Sequence, residues 1–332
     1  MNFKSTLVSS AVLFALAGCG SSSDDNDTTP PQSSDKSTFS LGVSDAPVSG
    51  LKAVNVVFDS ITIKTQGDEE FSFETRSEAD ASQPQMVNLL DYTGDDVFEL
   101  LDDQEVPAGE YSWIRAQVIN GDTNNLSFTS HVVYEDDSIA PLVVKRKGND
   151  GVGEIQLDGF TLNQTDNDFV LEFDLKKSLV DPQNNEEIFL KPRGVRLQNL
   201  SESQEIEGTV SQALINNCET DNIATAAADS TFGHAVYLYS SDAQIPKDIY
   251  EIDEQTPEDA PLATANVVFD QDDNQYEFEL AFITPGDYQL GYTCTAHIDD
   301  AELEDTDFTV YQLEQISVQQ AEDLSVSFDI TQ

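Results

Sequence analysis

Positive charge is scarce in this chain. Lys and Arg number 15 against 63 Asp and Glu in 332 residues, a formal net charge of −48. A surface so acidic repels polyanions, which excludes nucleic acid as a partner; it keeps the chain soluble and draws divalent cations or basic partners. Histidine is nearly as rare, with His131, His234 and His297 on separate predicted strands. None stands in an H-E-x-x-H or H-x-H spacing, so no zinc or general-base motif is written locally. The densest local cluster is His297 with Asp299 and Asp300. A nucleophile elbow is missing too: Gly42-Val43-Ser44 is followed by Asp45-Ala46, without the second glycine that G-x-S-x-G requires. No catalytic residue is assigned. Long apolar runs are absent, the longest being Leu7 to Ala17, interrupted at Ser9 and Ser10. That is shorter than the roughly 20 residues a membrane-spanning helix needs.

What the N-terminus does have is an export signal. Lys4 supplies a positive start, the apolar run follows, and small residues lead to a cysteine at Leu16-Ala17-Gly18-Cys19. Leu-Ala-Gly-Cys resembles the lipobox of bacterial lipoproteins. The resemblance implies cleavage after residue 18, lipidation of the Cys19 sulfur and acylation of the new amine, with palmitate among the chains. Several acyl chains anchor a protein where one alone holds it marginally. Gly20 stands where an Asp favours inner-membrane retention, so the resemblance implies the outer membrane, at either its periplasmic or its outer face. Cys218 and Cys294 then remain as an even pair in an exported protein, which predicts a disulfide.

Residues 19–38 are Ser, Asp, Thr and Pro beyond the cysteine, without a large apolar side chain. They read as a disordered tether that holds the first domain about 25 Å from the lipid. From Phe39 onward period two dominates. Phe39, Leu41 and Val43 alternate, as do Val54, Val56 and Phe58. Ile61 and Ile63 follow in the opposite phase, which places a bulge near Asp59-Ser60. The clearest strand is Phe169, Leu171, Phe173, Leu175. The spacing of Val97, Leu100 and Leu101 allows one or two helical turns, and Leu126 to Tyr134 alternates as a strand. Asn199 to Glu205 turns polar, and the boundary is placed there. A second set of strands follows at Ile206–Val210, Ala235–Tyr239, Asn266–Phe269, Tyr276–Phe282, Tyr288–Thr295, Phe308–Tyr311 and Leu324–Ile330. The expected fold is all-β, with two β-sandwich domains (39–200 and 204–332) in tandem after the lipidated tether.

Leu41-Gly-Val-Ser-Asp-Ala-Pro47, Leu51-Lys-Ala-Val-Asn-Val56, Phe169 to Val180, Phe189-Leu-Lys-Pro192 and Val195-Arg-Leu-Gln-Asn199 carry a likeness. Over residues 39–200 the chain resembles bacterial lipoproteins of domain-of-unknown-function family 4382, which implies an extracytoplasmic all-β module and no activity. Gly208-Thr-Val210, Ala235 to Tyr239 and Ile283-Thr-Pro-Gly-Asp-Tyr-Gln-Leu290 are similar to prealbumin-like, carboxypeptidase-regulatory-type sandwiches, implying a Greek-key, immunoglobulin-like topology. Fold alone gives no function.

Three features invite a chemical reading. Asp270, Asp272 and Asn274 alternate as oxygen ligands of a calcium loop do, but Gln275 replaces the glycine and Ala281 the bidentate Glu, and the stretch suits a hairpin turn as well. Tyr111, Trp113 and Arg115 are expected on one strand face, opposite the apolar one, and Tyr237 with Tyr239 pair similarly; strand aromatics ordinarily serve packing, and a surface for a glycan or an envelope protein is the second reading. The 63 acids single out no carboxylate pair. The sequence therefore points to a non-enzymatic binding or structural module, held to the bilayer through Cys19 and without a required cofactor. A surface hydrolase of polysaccharide or peptide and a calcium-dependent adhesin stand as the alternatives.

Overall fold

The computed structural model describes residues 36–46, 50–122, 124–148, 152–182, 186–227, 231–250, 259–303 and 307–330. Cys19 and the expected tether up to residue 35 lie outside them, whereas Lys36, Ser37 and Thr38, expected in the tether, already pair with the strand that ends at Pro107. No helix among the described residues is long and apolar enough to cross a membrane.

The strands of the first half are β1 (Lys36–Ala46), β2 (Leu51–Thr65), β3 (Glu70–Glu74), β4 (Gln85–Asn88), β5 (Phe98–Pro107), β6 (Gly109–Val118), β7 (His131–Tyr134), β8 (Ile139–Val143), β9 (Gly153–Leu162), β10 (Asp166–Asp174), β11 (Leu179–Val180), β12 (Ile188–Leu190) and β13 (Val195–Asn199). A single helical turn, α1 (Leu175–Ser178), follows β10. The strands make a four-stranded sheet in the order β13-β10-β1-β5 and a nine-stranded sheet built on β11-β12-β8-β7-β2-β6-β9, with β3 and β4 also on β2. The terminal strands meet within the first sheet: β1 runs parallel to β10, with Phe39 opposite Asn167 and Val43 opposite Leu171. Phe39, Leu41, Val43, Phe169, Leu171 and Phe173 from this sheet bury against Val54, Ile61, Ile63 and Ile114 from the other. The β2–β6 register shifts between Phe58 and Ser60, so Phe58 and Ile61 reach the same core from opposite phases.

A second shift corrects the expected aromatic face. Lys64 pairs with Trp113 but Thr65 with Tyr111, leaving Ser112 as an extra residue. The bulge turns Tyr111 into the core, where it stacks on Phe160 and its hydroxyl donates to the Pro107 carbonyl at 2.8 Å. Trp113 stays at the surface, with Arg115 4.3 Å over its ring. Two further expectations fail locally. Leu100 and Leu101 belong to strand β5, because three apolar residues are too few to tell a helical turn from a strand. Leu126–Phe128 is a 3-10 turn rather than the start of β7.

The second half comprises β14 (Gln204–Val210), α2 (Gln212–Asp221), β15 (Ala235–Ser240), β16 (Ala263–Asn266), β17 (Val268–Asp270), β18 (Gln275–Ile283), β19 (Gly286–Thr293), β20 (Gln312–Val318) and β21 (Leu324–Phe328). Two four-stranded sheets, β17-β18-β14-β21 and β16-β15-β19-β20, enclose a core of Ile206, Val236, Leu238, Phe278, Leu290 and Tyr292. Helix α2 adds Leu214, Ile215 and Cys218 to it, with the Ser211 hydroxyl capping its start. Phe308–Tyr311 is not a strand; the chain pairs one step later as β20, an edge strand. Tyr237 and Tyr239 face away from this core but are covered by a second apolar layer with Ala243, Ile249 and Ala301. They are fully buried and offer no exposed face. The fold is all-β, and residues 35–332 form one compact unit.

Candidate functional site

The chemically unusual groups of this unit collect in the seam between the two sandwiches. Val170, Glu172 and Asp174 alternate on β10 opposite the core residues Phe169, Leu171 and Phe173. All three are buried, although they belong to the outer face of their sheet. What covers Val170 is a bulge in β18. Gln204 pairs with Ile283 and Ile206 with Leu280, so Ala281 and Phe282 stand against one residue of β14. Phe282 takes φ +55°, a conformation costly for an aromatic residue, and packs with Ala281 on Val170, Val97 and Leu200. The strained turn aims an apolar pair out of its own sandwich and into the other one.

Around that contact the polar groups pair across the seam. Asp174 caps α1 by accepting from the Lys177 N–H at 3.1 Å, and its second oxygen accepts from the Thr264 hydroxyl of β16 at 3.0 Å. The Lys176 ammonium donates to the Ala296 carbonyl at 2.7 Å, and that of Lys177 to the Pro261 carbonyl at 2.8 Å. Lys191 pairs with Glu302, which also takes the Arg193 guanidinium at 2.9 Å. Arg196 pairs with Glu172, its cross-strand neighbour. Beyond Arg196 the sequence holds a single cation, Lys247. The strongly acidic C-terminal sandwich is thus met by the stretch from Lys176 to Arg196, which carries five of the 15 cations.

The acids here resist ionisation. Burial pushes Glu172 up to about 7 against the pull of Arg196. Burial likewise raises Asp174, opposed by Lys177. Asp45, at the end of β1, is raised well above the usual range by burial and then by the charges of Asp174 and Glu172. Neither of its carboxylate oxygens finds a hydrogen-bond partner among the described residues; the Leu175 N–H lies near without reaching bonding geometry. On the far side, Asp299 is raised to about 6 by burial while accepting from the Tyr237 hydroxyl and, at 3.1 Å, from the Ile249 N–H. At the rim, burial and the neighbouring Glu279 lift Glu205 to about 8. These two carboxyls share a hydrogen bond beside an open cleft of about 490 Å³ that Gly94, Glu207 and Glu277 also line.

The residues singled out from sequence lie elsewhere. Cys218 and Cys294 are bonded, with their Cα atoms 6.0 Å apart, and tie α2 to the end of β19. Asp270, Asp272 and Asn274 fall in the β17–β18 hairpin turn. There one oxygen of Asp270 accepts from the Asp272 and Asp273 N–H groups at 2.6 and 3.1 Å, and Asn274 takes φ +57°. The carboxylates this turn gathers within 4.8 Å are Asp270, Asp273 and Glu277 instead of the alternating trio. Each histidine has its own hydrogen-bond partners, although His297 lies near enough to His234 for their charges to interact. His131 contacts Asn55 and the Thr129 carbonyl, and His234 contacts Tyr292 and Glu219. His297 accepts from the Gly233 N–H and donates to the Thr225 carbonyl, with Asp299 turned to Tyr237 instead. Sequence reasoning missed the seam. Its one available signal was the density of cations after β10.

Residues 36–192 match the family described as domain of unknown function DUF4382. No curated protein matches the chain. Among solved structures, it is similar to the TIE protein of Bacillus anthracis at 8% identity and a TM-score of 0.18, over 88% of this chain and 33% of that one. It thus spans a third of that protein's length. A candidate cell adhesion protein of Bacteroides fragilis shares 9% identity at a TM-score of 0.18, over 88% and 91% of the two chains. The major pilin subunit BcpA of Bacillus cereus shares 12% at 0.18, over 88% and 69%.

Proposed function

We propose that this chain is a lipid-anchored, non-enzymatic module of the cell envelope. In this reading it holds two β-sandwiches as one stiff body, a tether's length from the outer membrane, in a structural or adhesive role. The observation that carries the reading is the seam. Interfaces between domains of one chain are ordinarily small and polar and permit relative motion. This one adds a bulge-driven apolar contact and cations that reach backbone carbonyls and Glu302 across it. Its perturbed carboxyls Glu172 and Asp174 are bound to Arg196, Lys177 and Thr264, which supports a structural use of them over a hydrolytic one. Lipidated Cys19 and the segment up to residue 35 supply the anchor, and an envelope protein or a glycan is the partner class.

Membrane fractionation with palmitate labelling tests the anchor. The wild-type protein is expected to carry label and sediment with the outer membrane, and Cys19→Ser to lose both. An unlabelled, soluble wild-type protein contradicts the reading. A thermal melt against a glycan panel tests the partner class, since a ligand of the native state raises Tm.

A further inference from the structure

We propose that one end of the C-terminal sandwich carries a binding site for a neutral sugar chain, built on Phe269 and Tyr276. The site deepens the glycan half of the partner class proposed above and does not depend on the anchor. It lies where the β17–β18 hairpin, the start of α2 and the end of β21 meet around an open cleft of about 460 Å³. That volume falls within the range of small-ligand pockets. Strand alternation sets its walls. Val210 and Phe328 point into the core, so their neighbours Thr209 and Ser327 stand on the outer face, with their hydroxyls 3.1 Å apart. Tyr276 pairs with both Val210 and Phe269 and lies half-buried at the margin of that core.

Strand β17 is an edge strand of three residues, and two of them are apolar and exposed, Val268 at 61% and Phe269 at 42%. The Phe269 ring lies 4.9 Å from that of Tyr276 and is tilted to it by 56°, so the pair forms an open aromatic corner. Around it the polar groups are uncharged and unspent. The Tyr276 hydroxyl and the side-chain amides of Asn274 and Gln275 make no hydrogen bond among the described residues. Gln212 spends its amide N–H on Asn216 and keeps its side-chain carbonyl free. A hexose matches this lining. Its C–H groups settle on the negative face of an aromatic ring, and its rim of hydroxyls both donates and accepts, as amides do.

Other occupants fit less well. A stable protein interface takes about 800 Å² a side around an apolar centre. Here two apolar side chains are bounded at once by the exposed acids Asp272 and Asp273. An anionic polysaccharide meets Asp329 in the cleft, those two acids on the hairpin, and a net charge of −48. A neutral chain avoids both costs. Thr209 also lines the neighbouring cleft of about 490 Å³, so a chain longer than one sugar continues across the same sheet face toward Glu207 and Glu277. Their carboxylates accept from sugar hydroxyls.

Isothermal titration with cellohexaose, laminarihexaose and maltohexaose tests the site, on the full chain with Cys19→Ser so that acyl chains play no part. At least one of these neutral sugars is expected to bind. Phe269→Ala should weaken that binding about tenfold and Gln275→Ala severalfold, both with an unchanged Tm in the absence of sugar. If F269A does not fold, Q275A, at an exposed hairpin position, still decides. Undiminished affinity in both variants overturns the site and leaves the glycan class standing, with the sugar elsewhere on the chain. No binding of any of the three overturns the site and the glycan class together, leaving an envelope protein as the partner. A dimer in light scattering that F269A breaks into monomers also overturns the site, since the ring then serves self-association. Oligogalacturonate, an anionic probe, should not bind, and binding tighter than that of the neutral sugars would contradict the charge argument and the site with it.

Discussion

Removing the Cys218–Cys294 disulfide should destabilise a sandwich that does not contain it. The bond closes a loop of 76 residues' separation within the C-terminal sandwich. In the chain-entropy model, opening a loop of that length costs about 4.5 kcal/mol at 25 °C. Both cysteines are fully buried, so Cys218→Ala with Cys294→Ala is the gentler replacement, because Ser would leave hydroxyls in an apolar core. For one cooperative unit spanning residues 35–332, about 4.5 kcal/mol corresponds to about 7 °C in Tm. The assay rests on a sequence accident. Trp113, the one tryptophan, sits on β6 of the other sandwich. Its fluorescence reports a sandwich that the mutation does not touch. If the seam couples the two bodies, the tryptophan transition moves down together with the far-UV signal, as one cooperative step. If the tryptophan transition stays in place while only part of the far-UV signal shifts, the sandwiches unfold independently and the reasoning fails.

Other outcomes are expected on the same grounds. Glu172 is raised in the fold, so its contribution to stability is complete below its unfolded value near 4.5 and is lost as pH climbs through about 7. Glu172→Gln should therefore match the wild type in urea titrations at pH 4 and exceed it at pH 8.5 by up to about 3 kcal/mol, Arg196 keeping Asp174 as a partner. Calcium at millimolar concentration should move Tm by less than about 1 °C, because Asp270 already spends an oxygen on its own turn and the gathered set offers only three carboxylates. A larger shift, reversed by chelator, would return the hairpin to the calcium reading. Lys177→Met removes the bond to the Pro261 carbonyl and should raise maleimide labelling of a Val170→Cys thiol, which lies under Phe282 in the seam; unchanged labelling would mean that the bond does not hold the sandwiches together.

The strands that were legible in the sequence are those whose apolar and polar residues alternate. Phe169 to Leu175 shows this well, although its polar face proved to be covered by the second sandwich. Strand β20 was illegible because Gln312-Leu-Glu-Gln-Ile-Ser-Val318 lies at a sheet edge with most residues part-exposed, and edge strands need less apolar surface. Helix α2 did leave a signature, a Ser cap followed by Leu214, Ile215 and Cys218, but ten residues among so many strands gave no strong period. The bulges at Ser112 and at Ala281–Phe282 have no residue code, and each reverses which side chain faces in. The seam was hidden for a related reason. Its lysines bind backbone carbonyls, which every residue carries, so nothing in the partner sequence marks the contact.

A stiff module requires the two sandwiches to behave as one body. Spin labels at the exposed positions Glu78 and Gln315, introduced as E78C and Q315C, place one probe on each. Pulsed dipolar spectroscopy should return a single narrow distance distribution. A broad distribution would mean that the sandwiches move freely, and would contradict the stiff module.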